Sequence, residues 1–117
     1  MPVLTLYTPD VHSSEQVQRL ADALVQRLSP RLNVPPELLW VHVLPLTYLQ
    51  EGLHGTVDPP HLVVTVMANP RPDETVRQAM SDIAGVLVEH LKLDPDQVWI
   101  HWTDLPPART FANGQVY

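Results

Sequence analysis

The spacing of apolar residues follows the order strand, helix, strand, and this order occurs twice along the chain. Four short apolar runs rich in β-favouring residues predict strands at Val3–Tyr7, Leu39–Leu44, Leu62–Met67 and Val98–Trp102. Between the strands of each pair, apolar residues recur every three or four positions, which indicates an amphipathic helix. The helical positions are Val17, Leu20, Ala21, Leu24, Val25, Leu28 and Leu32 in the first segment, and Val76, Ala79, Met80, Ile83, Leu87 and Leu91 in the second.

Polar residues and prolines set the expected ends of the two helices. Ser13 or Ser14 can cap the first helix, and Asp73 can cap the second. Pro35-Pro36 and Pro95 are expected to stop the helices, because a proline disfavours helical geometry in the residue before it. Each half of the chain therefore predicts the order strand, helix, strand.

The chain contains an internal duplication. When the sequence is shifted by 59 positions, residues 2–46 align without a gap on residues 61–105, with eight identities over 45 positions. Trp40 then falls on Trp99, and His42 falls on His101. The predicted strands and helices repeat at the same offset, so the pattern supports two related units.

The duplication predicts an α/β (α+β) fold made of a tandem β-α-β repeat. A crossover helix makes the two strands of each unit parallel, and two units give a four-stranded mixed sheet with both helices on one face. Residues 1–117 are predicted to form a single domain, in which Thr47–Pro60 connects the halves. The other sheet face is apolar and uncovered, which favours association with further copies. The C-terminal tail, residues 106–117, is expected to pair with a neighbouring edge.

Composition and charge narrow the possible partners. The 117 residues carry a net charge of −6, which argues against nucleic acid or an anionic membrane as the main partner. No apolar run approaches the length of a membrane span and the N-terminus lacks a basic leader, so a cytoplasmic location is expected. The chain has no cysteine, and its histidines lack metal-ligand spacing, so we predict no metal site and no cofactor. Those histidines are His12, His54, His61 and His90.

The sequence opens with Met1 followed by Pro2. A proline is tolerated at the first residue of a strand, so Pro2 has a purely structural explanation. Alternatively, removal of Met1 would expose a secondary amine, which acts as a base near neutral pH where apolar surroundings lower its pKa. The candidate walls of such an apolar pocket are Val3, Trp99, Trp102 and Phe111.

Several stretches resemble the tautomerase superfamily, beyond the Met-Pro start and the duplicated pattern. NVPPELLWVHVLP and LKLDPDQVWIHWTDLP are similar to segments of macrophage migration inhibitory factor. VVTVMANPRPDE resembles a segment of malonate semialdehyde decarboxylase, and VWIHWTDLPPARTFANG resembles the end of cis-3-chloroacrylic acid dehalogenase. The resemblance implies a tautomerase-like homotrimer whose sheets face inward, with an active site around each N-terminal proline near a subunit boundary.

Polar side chains near the predicted proline site supply the remaining candidates. Arg71 follows the third strand, where its guanidinium can bind a carboxylate through two parallel hydrogen bonds or can simply be a solvated loop cation. The resemblance places His101 where relatives carry a substrate-contacting asparagine or tyrosine, whereas its repeat partner His42 favours a packing role. The resemblance also places Asn69 at the position of one of the decarboxylase's paired arginines. Arg109 in the tail can supply a second cation from a neighbouring subunit.

These observations predict a cofactor-independent enol–keto tautomerase that acts on a small carboxylate substrate, a 2-keto acid such as phenylpyruvate. Pro2 is the predicted base and Arg71 the predicted anchor. One alternative is a hydratase, dehalogenase or decarboxylase of a small unsaturated or β-keto acid, in which a protonated Pro2 acts as an acid. The resemblance to the dehalogenase aligns its water-activating glutamate with Ala112 of this chain. The other alternative is a trimeric binding protein with a vestigial site, which retention of Met1 would support.

Overall fold

The computed structural model describes residues 1–9, 12–53, 55 and 60–117, so His54 and part of the predicted connection Thr47–Pro60 lie outside the described residues. A four-stranded sheet with strand order β2-β1-β3-β4 carries two helices, and a short hairpin follows it. The strands are β1 (Val3–Pro9), β2 (Trp40–Leu46), β3 (Leu62–Ala68), β4 (Val98–Asp104), β5 (Phe111–Ala112) and β6 (Gln115–Val116). The helices are α1 (Ser14–Leu32) and α2 (Asp73–Leu91), with short 3-10 helices at Pro36–Leu38 and Pro95–Gln97.

The sheet confirms the predicted mixed topology. β1 pairs in parallel with β2, β3 pairs in parallel with β4, and β1 and β3 are antiparallel neighbours. The duplication also appears in the element boundaries, because β1 and β3 have seven residues each and α1 and α2 have 19 each. The two strands start at Val3 and Leu62 and the two helices at Ser14 and Asp73, so both pairs are 59 positions apart.

The helix ends agree with the sequence prediction only in part. Ser13 caps α1, because its hydroxyl accepts a 3.1 Å hydrogen bond from a backbone N–H of the first turn. The prediction that Asp73 caps α2 is wrong, because Asp73 is the first helical residue and Pro72 precedes it without a capping side chain. Both helices end at left-handed residues, Asn33 and Lys92, which come before the prolines expected to stop them.

An apolar layer joins the sheet to the helices. Along β1 and β3, buried and partly exposed side chains alternate, and the buried ones pack against a row of apolar side chains on each helix. This alternation places both helices on one face of the sheet, as predicted. The core residues are Leu4, Leu6, Leu20, Leu24, Leu28, Leu32, Leu39, Leu62, Val64, Val66, Ala79, Ile83, Val86 and Leu87.

The opposite face of the sheet is uncovered and carries a polar row between two largely apolar rows. The strand register aligns residues of all four strands across this face. The polar row is His42, Thr5, Thr65 and His101. The flanking rows are Leu44, Tyr7, Val63 and Trp99 on one side, and Trp40, Val3, Met67 and Thr103 on the other. The face is therefore less uniformly apolar than the sequence analysis expects.

The C-terminal tail folds back on itself as a hairpin. β5 and β6 are antiparallel, and Asn113-Gly114 forms the turn with φ of 52° and 77°, a geometry that asparagine and glycine tolerate. The backbone N–H of Tyr117 donates to the carbonyl of Thr110 at 2.7 Å, which closes the hairpin. In the described part of the chain, no helix combines the length and the apolar character needed to cross a membrane.

Candidate active site

Pro2 is fully buried at the start of β1. Its carbonyl accepts a 3.0 Å hydrogen bond from the backbone N–H of Trp40, which holds it against β2. Met1 lies beyond the last paired residues of β1 and β3, Val3 and Met67. Its ammonium group donates to Oδ1 of Asn69 at 3.2 Å. The sheet therefore fixes the nitrogen of Pro2 close to the first residue after β3.

A cavity of about 180 Å³ lies beside Met1 at this end of the sheet. Its wall combines the start of β1, residues that flank the other strands, and the C-terminal hairpin. The Sδ atom of Met1 accepts a 3.8 Å contact from Nδ2 of Asn113, so the Met1 side chain occupies space between the sheet and the hairpin. The lining residues are Met1, Leu38, Asn69, Leu105, Thr110, Ala112, Asn113 and Tyr117.

The side chains of the cavity wall are uncharged and partly polar. The carboxamides of Asn69 and Asn113 and the hydroxyl of Thr110 offer hydrogen-bond donors for a substrate oxygen. Leu38 and Leu105 supply apolar surface, and no charged side chain is present among the described lining residues. No cluster of three or more histidine, aspartate or glutamate side chains in the described ranges is placed to hold a metal ion. This arrangement suits a small molecule whose oxygen atoms are bound by neutral donors.

Arg71 lies behind Asn69 and outside the wall of the cavity. Its Nη1 donates to the carbonyl of Asn69 at 2.7 Å, and its Nη2 donates to the carbonyl of Leu32 at 3.5 Å. Partial burial lowers the pKa of the Arg71 guanidinium below its ordinary value, although an arginine stays charged near neutral pH. The positively charged guanidinium of Arg71 therefore lies next to the cavity, where it donates to two backbone carbonyls.

The two predicted tail residues flank the cavity without lining it. Arg109 directly precedes Thr110, and its exposed side chain donates from Nη1 to the carbonyl of Ala108 at 3.1 Å. Phe111 projects from β5 with 73% of its surface exposed. Neither residue is among the described lining residues of the cavity in the single chain.

The structure places the three remaining predicted residues of β4 away from Pro2. Trp99 and His101 lie on the uncovered face, where their rings stack with centroids 6.0 Å apart. His101 belongs to the row that contains Thr5, three residues along β1 from Pro2. Trp102 points to the opposite side, packs against the core and buries its Nε1 atom. Among the predicted site residues, one protomer therefore brings only Asn69 to the cavity beside Pro2.

The sequence analysis misses the hairpin as a source of lining residues. Thr110, Asn113 and Tyr117 all reach the cavity, because the tail turns back toward the start of β1. The Asn113-Gly114 dipeptide is a recognisable hairpin signal. That signal predicts the turn, whereas the surface against which the hairpin packs depends on tertiary contacts.

Comparison with known proteins shows the family to which the chain belongs. A family model described as macrophage migration inhibitory factor (MIF) matches residues 1–117. The chain belongs to the MIF family. No curated protein sequence is significantly similar to this MIF-family chain.

Solved structures with the same fold confirm the resemblance to the tautomerase superfamily. A fused 4-OT wild-type asymmetric trimer gives a TM-score of 0.87 at 21% identity, covering 97% of this chain and 94% of that chain. N1, a member of the cis-3-chloroacrylic acid dehalogenase family, gives 0.83 at 18% identity, covering 97% and 82%. Malonate semialdehyde decarboxylase gives 0.76 at 19% identity, covering 97% and 92%. At such identities the likeness shows that the MIF-family chain has the tautomerase-superfamily fold.

Proposed function

We propose that this MIF-family chain is an enol–keto tautomerase that acts on a 2-keto acid such as phenylpyruvate, with Pro2 as the general base. The observation that carries the proposal is the position of Pro2, which is buried and directly follows Met1, a residue that lines the cavity. With Met1 attached, the nitrogen of Pro2 is a tertiary amide without basicity. Removal of Met1 would make it a secondary amine that faces the cavity, and the rigid ring would fix the direction of its lone pair.

The proposed reaction needs only a proton transfer. Ketonisation removes the proton from the enol oxygen and adds one to the other carbon of the C=C bond, while the double bond shifts to C=O, with no net change of oxidation state and no co-reactant. The Pro2 amine would carry the proton, while the donors of Asn69, Thr110 and Asn113 would bind the oxygen on which negative charge develops. The apolar side chains of Leu38 and Leu105 in the wall support this assignment, because apolar surroundings disfavour the ammonium form and keep the amine available as a base.

Arg71 is the proposed anchor for the substrate carboxylate. Its guanidinium contacts the backbone of Asn69, so a rotation of the side chain would bring unused donors to the cavity. Arginine binds carboxylates through paired hydrogen bonds, which would orient a 2-keto acid with its reactive carbon toward Pro2. Arg109, next to the lining residue Thr110, is the second candidate cation.

The proposal includes a homotrimer built through the uncovered sheet face. Trp40 and Trp99 on that face are 45% and 53% exposed in the single chain, and burial of such rings favours association. Two of the structural relatives are described as an asymmetric and a symmetric trimer of fused 4-OT. In such an assembly, Trp99 and His101 of one protomer would be available to the Pro2 cavity of the next.

The lining of the cavity favours tautomerisation over hydration or dehalogenation. Addition of water requires a base that activates it, and no carboxylate side chain is present among the described lining residues. Ala112, where the dehalogenase resemblance would place a glutamate, lines the cavity with a methyl group.

The test is Pro2→Ala, with His61→Ala as the matched control. His61 aligns on Pro2 in the duplication and lies outside the described cavity lining. Pro2→Ala is expected to lower kcat/KM for phenylpyruvate ketonisation by about 10²–10⁴-fold, the usual contribution of a general base, while His61→Ala stays within about twofold of wild type. The intact mass of the active wild-type preparation should be lower than the full chain by one methionine residue. Unchanged turnover in Pro2→Ala, or full activity in a chain that retains Met1, would contradict the proposal.

A further inference from the structure

The first half of the chain contains a groove that is larger than the Met1 cavity. It is an open groove between α1 and β2 on the helix-bearing side of the sheet, with a volume of about 430 Å³. Ala21, Val41 and Val43 form its apolar wall, and Thr8, His12 and Gln18 supply polar atoms. The groove and the Met1 cavity share no lining residue. A volume of this size is within the usual range for small-molecule sites.

The internal duplication shows what fills the equivalent space in the second half. The 59-residue offset aligns the three wall positions with three larger side chains. Trp102, the largest of them, packs against the core and has a buried indole nitrogen. Together the three replacements add roughly eleven non-hydrogen atoms, which is the size of a small aromatic molecule. The aligned pairs are Ala21 with Met80, Val41 with Ile100, and Val43 with Trp102.

Polar residues in the groove lining favour a ligand that carries a hydrogen-bonding group. Thr8 is a polar residue with only 5% of its surface exposed, and its hydroxyl donates to the adjacent Pro9 carbonyl at 3.3 Å. The oxygen of that hydroxyl can still accept a hydrogen bond. His12 and Gln18 add a ring nitrogen and a carboxamide to the same groove.

We propose that the groove between α1 and β2 is a second ligand site, which binds a planar aromatic molecule of about the size of indole with one hydrogen-bonding substituent. The aromatic ring occupies the space that corresponds to the Trp102 side chain, against Val41 and Val43. The substituent meets Thr8, His12 and Gln18. This site is separate from the proposed ketonisation at Pro2 and does not depend on it.

The experiment uses 5-fluoroindole as the probe and the full chain as the protein. Titration followed by ¹⁹F NMR is expected to show one saturable site per wild-type chain, with a Kd of about 1 mM or lower for a ligand of this size. Val43→Trp places in the first half the side chain that the second half has. It is expected to weaken 5-fluoroindole binding by at least tenfold and to leave phenylpyruvate ketonisation within about twofold of wild type.

The reciprocal variant is Trp102→Val, which should open the equivalent groove in the second half and raise the stoichiometry to two probe molecules per chain. Should Trp102→Val fail to fold, Val43→Trp alone decides the question. The proposal is overturned if wild type shows no saturable binding, or if Val43→Trp binds the probe with unchanged affinity. It is also overturned if Val43→Trp changes the oligomeric state, because the groove would then hold a segment of another copy. Loss of ketonisation in Pro2→Ala with unchanged probe binding would separate the two sites.

Discussion

The two halves of the chain form the same β-α-β unit, but they differ at the residues that line the Met1 cavity and the groove between α1 and β2. Pro2 precedes β1 and is buried next to Met1, which lines a cavity. His61, which aligns on Pro2 in the sequence alone, is exposed and contacts both carboxylate oxygens of Glu51, at 2.7 Å through its backbone N–H and 2.9 Å through Nδ1. Conversely, Val43 leaves a groove open where Trp102 packs against the core. Residues common to both halves thus account for the fold, and residues that differ account for the candidate sites.

The largest expected effect concerns a core position that the halves share. Leu28 and Leu87 align in the duplication and both are fully buried. Leu28→Ala and Leu87→Ala should each lower the free energy of unfolding by about 2–5 kcal/mol, because each leaves a cavity in the same apolar layer. Urea denaturation measures both values. A cost below about 1 kcal/mol for either variant would contradict the view that the two units contribute equivalently to one core.

A smaller effect is expected at the ends of the helices. Asn33 and Lys92 both adopt left-handed geometry, with φ of 53° and 57°. Lys92→Gly should raise the free energy of unfolding by up to about 1 kcal/mol, since glycine adopts this geometry without a Cβ clash. Asn33→Gly should gain less, because asparagine tolerates positive φ better than lysine does. A greater gain for Asn33→Gly in thermal denaturation would reverse this comparison.

The smallest effect is expected for the hydrogen bonds between Glu51 and His61, the residue before β3. Hydrogen bonds from the backbone N–H and the side chain of His61 lower the pKa of Glu51 below its ordinary value. A lowered folded-state pKa stabilises the fold above the unfolded-state pKa, and this contribution is lost as pH falls through the folded value.

Glu51→Gln should therefore lower Tm slightly near neutral pH, and the difference from wild type should shrink as pH falls below the ordinary pKa of a glutamate and disappear in stronger acid. His61→Asn should have a still smaller effect, because the backbone N–H that donates to Glu51 remains. A Tm difference that persists unchanged into acid would show that the hydrogen bonds between His61 and ionised Glu51 do not produce it.

Local sequence signals predict most of the fold. Each half repeats a short apolar run, a helical spacing and a second apolar run, and β-α-β geometry leaves few ways to connect them. Alternation along a strand carries further information: Trp99 and Trp102 are three positions apart, so a strand must place them on opposite faces. The sequence spacing alone therefore predicts that one tryptophan lies on the uncovered face and the other on the helix-bearing face.

The candidate site is less predictable because its walls come from distant parts of the chain. Leu38, Leu105 and Tyr117 meet beside Met1 only after the sheet has formed and the tail has turned back. No periodicity or motif encodes that contact. The position of Arg71 is a similar case, since its hydrogen bond to the carbonyl of Leu32 depends on where α1 ends relative to β3. The residue type predicts Arg71 as the residue that binds a substrate carboxylate, whereas the sequence does not predict the direction in which its guanidinium points.

The most direct test of the central claim is a ¹⁵N NMR titration of the Pro2 nitrogen in the chain from which Met1 has been removed. The proposal predicts a pKa below about 8, under the ordinary value of an exposed α-amine, because burial disfavours the ammonium form. A nitrogen that stays protonated above about pH 9, or one that remains an amide because Met1 is retained in the active protein, would contradict the assignment of Pro2 as the base.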